Sequence, residues 1–114
     1  MNEISEAEVS FGSGGQFGLS EELIESIRAI FAQYKAVDQA VVYGSRAMGN
    51  FKEGSDIDIA LKIKPGTMFG LNEFNQIQWQ LDDLMSPYRF DLCIYESIDN
   101  PEFKAHIDRV GIPL

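Results

Sequence analysis

One short segment limits what this chain can fold into: an apolar strand pattern interrupted by two carboxylates. In residues 56–61 (DIDIAL) the side chains of a strand would alternate between faces, so Asp56 and Asp58 would share one face. The apolar residues between them favour a central strand, where unpaired charges are costly. Two like charges roughly 6.5–7 Å apart along a strand repel each other, and a divalent cation between them would reverse that interaction. The segment therefore indicates a metal site, with a solvated edge-strand face as the alternative.

A glycine-containing turn comes shortly before this segment. Residues 40–43 predict a short buried strand that ends at Gly44, and Ser45 and Arg46 follow. Glycine lets the backbone approach a ligand closely, and N–H groups at the start of a helix bind phosphate oxygens. A hydroxyl and a forked guanidinium also suit phosphate. Taken alone, this turn is a weak signal, and a tight strand exit with an exposed arginine explains it better.

A third carboxylate, Asp91, interrupts another apolar strand pattern at residues 89–95. If that strand lies beside the first, Asp91 completes a cluster with Asp56 and Asp58. Magnesium sites of this kind use a few carboxylates together with substrate phosphates and waters. Two such ions could stabilise the attacking and leaving oxygens of an in-line displacement.

The rest of the pattern predicts one small α/β (α+β) domain. Ser20 is a good N-cap for a first helix, and a second helix is expected to bury a stripe that leaves Trp79 outside. That stripe consists of Leu71, Phe74, Ile77, Leu81 and Leu84. Strands are predicted at 40–43, 56–63 and 89–95, and later helices at 71–84 and 101–110. The order predicts a small sheet covered by helices.

The N-terminal residues 1–18 differ from this pattern. They contain four glycines and three glutamates without periodicity, so we expect a disordered or loosely attached tail before a domain spanning 19–114. Phe11 and Phe17 are its large apolar groups, and either could attach it to the body.

Composition narrows the possible functions. A chain of 114 residues has room for one ordinary domain. No apolar run reaches membrane-spanning length, and no secretion signal is evident. The single cysteine, Cys93, is expected to be a core residue. We therefore expect a cytoplasmic protein. The net charge of −9 disfavours broad nucleic-acid binding but permits a nucleotide whose phosphates are shared with Mg²⁺.

Together the motifs resemble the minimal nucleotidyltransferase (MNT) domains of the DNA polymerase β-like nucleotidyltransferase superfamily. The resemblance is carried by residues 44–49 (GSRAMG), 54–61 (GSDIDIAL) and Asp91, and its order and spacing extend over 19–114. It implies the polymerase β-like nucleotidyltransferase fold. All three carboxylate positions of the motif are filled.

The resemblance also implies roles for individual residues. Gly44 and Ser45 would hold the triphosphate of an NTP, and we assign Arg46 and Ser55 to the same nucleotide-binding side. The catalytic and metal-ligating residues would be Asp56, Asp58 and Asp91, with two Mg²⁺ ions expected. Asp91 would also help to deprotonate the acceptor.

The implied activity is transfer of a nucleoside monophosphate, AMP in the first instance, from an NTP such as ATP to an acceptor hydroxyl. Proteins that resemble this one are often encoded beside a small helical HEPN-domain protein, as an antitoxin–toxin or two-component pair, and in some pairs the MNT member adenylylates its partner. We therefore expect a HEPN-type partner. A non-catalytic antitoxin that neutralises its partner by contact and a nucleotide sensor are the alternatives. The oligomeric state, a homo-oligomer included, is left open.

Other polar and aromatic residues give weaker signals. Lys52 suits phosphate charge or a solvated loop equally well. His106 has no neighbouring nucleophile in the sequence and is expected to be exposed or to cap the last helix. Trp79 is expected to be exposed by chance, with a partner contact or a nucleobase platform as the alternatives.

Overall fold

The computed structural model describes residues 16–84 and 86–114. Within these ranges, four helices and four strands form one small mixed domain. The helices are α1 (Glu21–Ala32), α2 (Ser45–Met48), α3 (Leu71–Asp82) and α4 (Pro101–Val110). The strands are β1 (Val37–Tyr43), β2 (Ile57–Ile63), β3 (Phe90–Ile94) and β4 (Ile112–Pro113). Short 3₁₀ turns lie at Gln16–Gly18 and Tyr95–Ser97.

The sheet has the order β3-β2-β1-β4, so β2 lies in its interior. Strand β2 pairs antiparallel with β1 and parallel with β3, and β4 pairs antiparallel with β1. The mixed sheet and the position of β2 confirm the predicted fold class and the central strand. The sequence did not predict β4, because two residues are too few to show an alternating pattern.

Both faces of β2 are buried. Ile57, Ile59 and Leu61 have no exposed surface and belong to the larger core, to which α1 and α3 also contribute. On the other face Ala60 is equally buried and packs in a smaller cluster with Ile107 of α4. A charged residue in this strand therefore has apolar neighbours on either side.

The helix starts follow from local sequence. The Ser20 hydroxyl accepts a hydrogen bond of 3.1 Å from the Leu23 amide, which confirms the predicted N-cap. At α4 the side chain of Asn100 accepts from the amides of Glu102 and Phe103, and Pro101 occupies the first turn. These caps determine the residue at which each helix begins.

One core prediction is wrong. Leu71 was expected on the buried stripe of α3, but it is 72% exposed, whereas Ile77 and Leu81 are fully buried. At 3.6 residues per turn, Leu71 lies about 120° around the helix from Ile77, at the margin of the stripe and in its first turn. Trp79 is 69% exposed, as its position off the stripe predicted.

Most of the predicted N-terminal tail lies outside the described residues, Phe11 included. The described part begins with the turn at Gln16–Gly18, in which Phe17 is 7% exposed and packs in the larger core with Leu19. Phe17 is thus one of the two attachments that the sequence offered. Of the helices in the described ranges, none combines the length and the apolar character needed to cross a membrane.

Candidate active site

Two of the three predicted carboxylates lie side by side. Asp58 and Asp91 are direct partners in the parallel pairing of β2 and β3, so their side chains project from the same face of the sheet. Neighbouring strands are about 4.8 Å apart. The condition set by the sequence, that the strand of Asp91 lies beside that of Asp58, is therefore met.

The third carboxylate belongs to the same electrostatic group. Asp56 is exposed and precedes β2 by one residue, whereas Asp58 is half-buried. Burial raises the pKa of the Asp58 carboxyl above its ordinary value, and the negative charges of Asp91 and Asp56 raise it further. Asp58 is therefore influenced by both other carboxylates at this edge of the sheet.

The available metal donors at this edge of the sheet are carboxylate oxygens. In the part of the chain that the structure describes, no three His, Cys, Asp or Glu side chains are already grouped as a metal site. The chemistry of the donors nevertheless fits Mg²⁺, which prefers carboxylate oxygens and takes its other ligands from substrate phosphates and water. Asp58 and Asp91 are in register for this role, and Asp56 is the third available carboxylate.

The glycine turn reaches the carboxylates directly. Gly44 follows β1 with φ +73° and ψ −153°, a conformation that is essentially restricted to glycine. A Cβ atom added to it would lie 2.6 Å from Oδ2 of Asp58. Gly44 and Asp58, fourteen positions apart in the sequence, thus meet in space, and Ser45 begins α2 immediately beyond the contact.

The structure encloses Arg46, which the sequence assigned to the nucleotide-binding side. This side chain is only 3% exposed, and its guanidinium donates hydrogen bonds to the carbonyl oxygens of Phe17 and Ser55. It also lies against the rings of Phe51 and Tyr88. Backbone oxygens and aromatic rings thus lie around the charge, and nucleotide binding by Arg46 stays a prediction.

Ser55 lies in the loop before Asp56. Its hydroxyl accepts a hydrogen bond of 2.9 Å from the Lys52 amide, and its carbonyl accepts from Arg46. These contacts hold the loop that leads into β2. Nucleotide binding by Ser55 stays a prediction, and Lys52 is exposed.

Sequence reasoning missed an aromatic group beside the carboxylates. Tyr43 is the direct β1 partner of Asp58. Its ring lies edge to face with the ring of His106, and the two ring centroids are 6.2 Å apart. His106 is half-buried and lowers the pKa of the Asp58 carboxyl, so the expectation of an exposed or capping histidine is wrong. The spacing of His106 three residues after Phe103 was the available signal, because both rings contact Tyr43 from one side of α4.

Cys93 lies next to this group as a partly buried residue. Its Sγ is 3.7 Å from the Tyr43 hydroxyl, and burial is the main cause that raises the pKa of each of the two groups. Cys93 packs against the smaller core cluster, in keeping with the predicted structural role.

The family of the chain follows from comparison with known proteins. Residues 25–114 match the family described as Polymerase beta, Nucleotidyltransferase. The chain belongs to this family and is a nucleotidyltransferase. No protein with curated annotation matches it significantly.

Solved structures show the same fold. A candidate minimal nucleotidyltransferase is 24% identical, with a TM-score of 0.64 over 82% of this chain and 94% of that chain. A toxin–antitoxin crystallised with AMP-PNP is 18% identical, with a TM-score of 0.63 over 83% of this chain and 72% of that chain. These structures show that the fold is shared, and the family match confirms the predicted membership of the polymerase β nucleotidyltransferase family.

Proposed function

We propose that this chain is a Mg²⁺-dependent nucleotidyltransferase that moves AMP from ATP to an acceptor hydroxyl carried or presented by a partner protein. The observation that carries the proposal is the meeting of Gly44 with a pair of carboxylates in register. Asp58 and Asp91 lie on adjacent strands, and the Gly44 backbone lies against Asp58 without room for a side chain. A phosphate chain bound along this turn would therefore lie beside the carboxylates.

The reaction is a displacement at the α-phosphorus. The acceptor oxygen forms a bond to that phosphorus while the bond to the α–β bridging oxygen breaks, and pyrophosphate leaves with the bonding electrons. The acceptor proton passes to a carboxylate, and we assign Asp91 to this role because it is exposed beside the more buried Asp58. Gly44 and Ser45 hold and orient the triphosphate.

Mg²⁺ would be held by Asp58 and Asp91, with Asp56 as the third carboxylate, and we expect two ions. When bound, the metal supplies positive charge that offsets the charge developing on the attacking and leaving oxygens. The chain itself supplies the fixed carboxylates and the glycine turn. Burial and the neighbouring carboxylates raise the pKa of Asp58 and so disfavour its ionised form, which a bound cation would favour.

The donor and the partner are argued from the fold neighbour crystallised as a toxin–antitoxin with AMP-PNP. It supports ATP as the donor and a toxin as the partner of this chain, and the sequence resemblance points to a HEPN-type toxin. The exposed Trp79 and the exposed Leu71, both on α3, offer apolar surface for such a contact.

The test is an assay with radiolabelled ATP, Mg²⁺ and the full chain, with and without the protein encoded by the adjacent reading frame. We expect label on the partner and release of pyrophosphate with wild type, and loss of both in the variants Asp58→Asn and Asp91→Asn. Asp38→Asn is the matched control, since Asp38 is an exposed strand aspartate away from the site. Equal background labelling by wild type and the two site variants, across all four NTPs, would refute the proposal.

The second candidate is a module that neutralises its partner by contact alone. The exposed apolar residues of α3 favour it, because they do not depend on the carboxylates. Co-expression with the partner separates the two functions. Full neutralisation by a folded Asp58→Asn/Asp91→Asn variant supports contact, and loss of neutralisation supports catalysis.

A further inference from the structure

Arg46 is the one charged residue among those that the structure places in the core. Its guanidinium donates three hydrogen bonds there. Its Nη1 donates to the Phe17 carbonyl at 2.8 Å. Its Nε and Nη2 both donate to the Ser55 carbonyl, at 3.0 and 2.9 Å. The guanidinium carbon lies 4.9 Å from the centre of the Phe51 ring and 4.6 Å from that of Tyr88. Both hydrogen-bond acceptors are thus main-chain atoms that no side-chain substitution removes.

These contacts join three segments that are far apart in the sequence. Phe17 belongs to the N-terminal turn, Arg46 to α2 beside the glycine turn, and Ser55 to the loop that delivers Asp56. A charge-assisted hydrogen bond is roughly twice as strong as a neutral one. The loop is otherwise held within itself by the two hydrogen bonds between Lys52 and Ser55. Arg46 therefore connects this loop to the N-terminal turn by hydrogen bonds.

The packing around Gly18 shows how closely the two segments meet. Gly18 has φ +71°, and a Cβ atom built on it would lie 2.3 Å from Cζ of Phe51 and 3.2 Å from Nη1 of Arg46. Any side chain at this position would displace Phe51, which covers the guanidinium. The N-terminal turn therefore packs against the loop in this way only if residue 18 has no side chain.

We propose that Arg46 is a positioning residue, which fastens the N-terminal turn at Gln16–Gly18 to the loop before β2 and so sets the position of Asp56. In this role the arginine acts through two carbonyl oxygens and touches neither nucleotide nor metal. The N-terminal turn becomes part of the catalytic scaffold, although it lies outside the matched family residues 25–114. Only the kinetic consequence of this inference depends on the proposed function.

The shape of the side chain separates this role from phosphate binding. Lysine keeps the charge of arginine, but its single nitrogen cannot reproduce a fork that reaches two carbonyls on opposite sides. Positioning therefore predicts that Arg46→Lys behaves like Arg46→Met. Phosphate binding predicts that Arg46→Lys retains most of the affinity for NTP.

The first test is amide hydrogen exchange of the full-length, metal-free protein. In Arg46→Met and Arg46→Lys we expect the amides of Leu19, Lys52 and Ser55 to exchange together about 10- to 100-fold faster, the factor expected when a hydrogen bond to a charged group is lost. Arg28→Met is the matched control, because Arg28 is exposed and pairs with the nearby Glu25. Unchanged exchange at Lys52 and Ser55 in a folded Arg46 variant would overturn the inference.

Gly18→Ala tests the link from its other end, without altering α2. It should accelerate exchange at Lys52 and Ser55, although the substitution is more than thirty positions earlier in the sequence. Gly66→Ala is the control, because Gly66 has a similar φ of +77° and a Cβ atom added to it would meet no atom within 4 Å. Faster exchange confined to residues 16–20 would show that the two segments are not coupled.

The kinetic test uses the nucleotidyltransfer assay. Positioning predicts a rise of about 10- to 100-fold in the Mg²⁺ concentration needed for half-maximal activity, or an equivalent fall in kcat, with KM for ATP changed by less than about twofold. A rise in KM for ATP that Arg46→Lys repairs would show phosphate binding instead. An inactive wild type would count against the proposed function alone, because the exchange measurements decide the positioning role without any turnover.

Discussion

The substitution Asp58→Asn removes the charge at the centre of the carboxylate group while keeping the size of the side chain. Asp58 is half-buried, stands directly opposite Asp91 on the neighbouring strand, and is also under the influence of Asp56. Like charges directly opposite each other in a sheet are destabilising, by about 0.2–1 kcal/mol. We therefore expect the free energy of unfolding at pH 7 without Mg²⁺ to rise by about that amount in the variant.

The pH dependence has a definite sign. The pKa of Asp58 is raised in the folded protein, so between the unfolded value and the raised folded value the native state binds more protons than the unfolded state. The contribution of Asp58 to the stability of wild type should therefore fall as the pH rises through this window. Asp58→Asn should lack that part of the decline, and the two proteins should have more similar stability below the window.

Magnesium should reverse the order of stability of wild type and Asp58→Asn. A ligand that binds only the native state at ten times its Kd adds about 1.4 kcal/mol to the free energy of unfolding. Wild type should gain this amount, and Asp58→Asn should gain little because it lacks a central ligand. Metal binding should therefore turn the more stable variant into the less stable one.

Urea unfolding followed by circular dichroism measures these differences. The single tryptophan, Trp79, is already 69% exposed and is a poor fluorescence reporter. Asp38→Asn is the control, because Asp38 is an exposed strand residue. It should change neither the stability without metal nor the stabilisation by Mg²⁺. A variant that is no more stable than wild type without metal, or one that Mg²⁺ stabilises as much as wild type, would refute the reasoning.

Two further comparisons use paired substitutions. Gly44→Ala should abolish most nucleotide binding in a fluorescent-ATP titration, because its Cβ atom would lie 2.6 Å from Oδ2 of Asp58. Gly66→Ala is the control and should bind normally, because Gly66 has a similar positive φ but lies in open space. An equal loss of binding in both variants would assign the effect to backbone strain. Ile77→Ala should lower the free energy of unfolding by about 2–5 kcal/mol because the side chain is fully buried. Leu71→Ala, at 72% exposure, should change it by less than about 0.5 kcal/mol in the same urea titration, and a similar loss in both would contradict the assigned core.

Local pattern was enough to predict the elements that carry the carboxylates. The apolar alternation in residues 56–61 identified the strand of Asp58, and the single charge in β3 identified Asp91. Strand alternation has a period of two residues and is visible in a short window. The N-cap at Ser20 was predictable for the same reason, since its hydrogen bond spans three residues.

Contacts between distant segments were decided by the tertiary structure. The sequence offered Arg46 as a phosphate ligand, but its partners are the carbonyls of residues 9 and 29 positions away. The contact of His106 with Tyr43 likewise depends on how α4 packs on the sheet. A long charged side chain can reach many partners, and only the packing of the whole domain selects among them.

By itself, the amino-acid sequence determined that three carboxylates and a glycine turn would belong to a small α+β domain of the nucleotidyltransferase type, with Asp58 and Asp91 on strands. The tertiary structure decided that Asp58 and Asp91 are in register, that Gly44 lies against Asp58, and that Arg46 is enclosed rather than exposed. The reason is physical. Periodicity and capping act over a few residues, whereas register, close approach and burial depend on which segments meet.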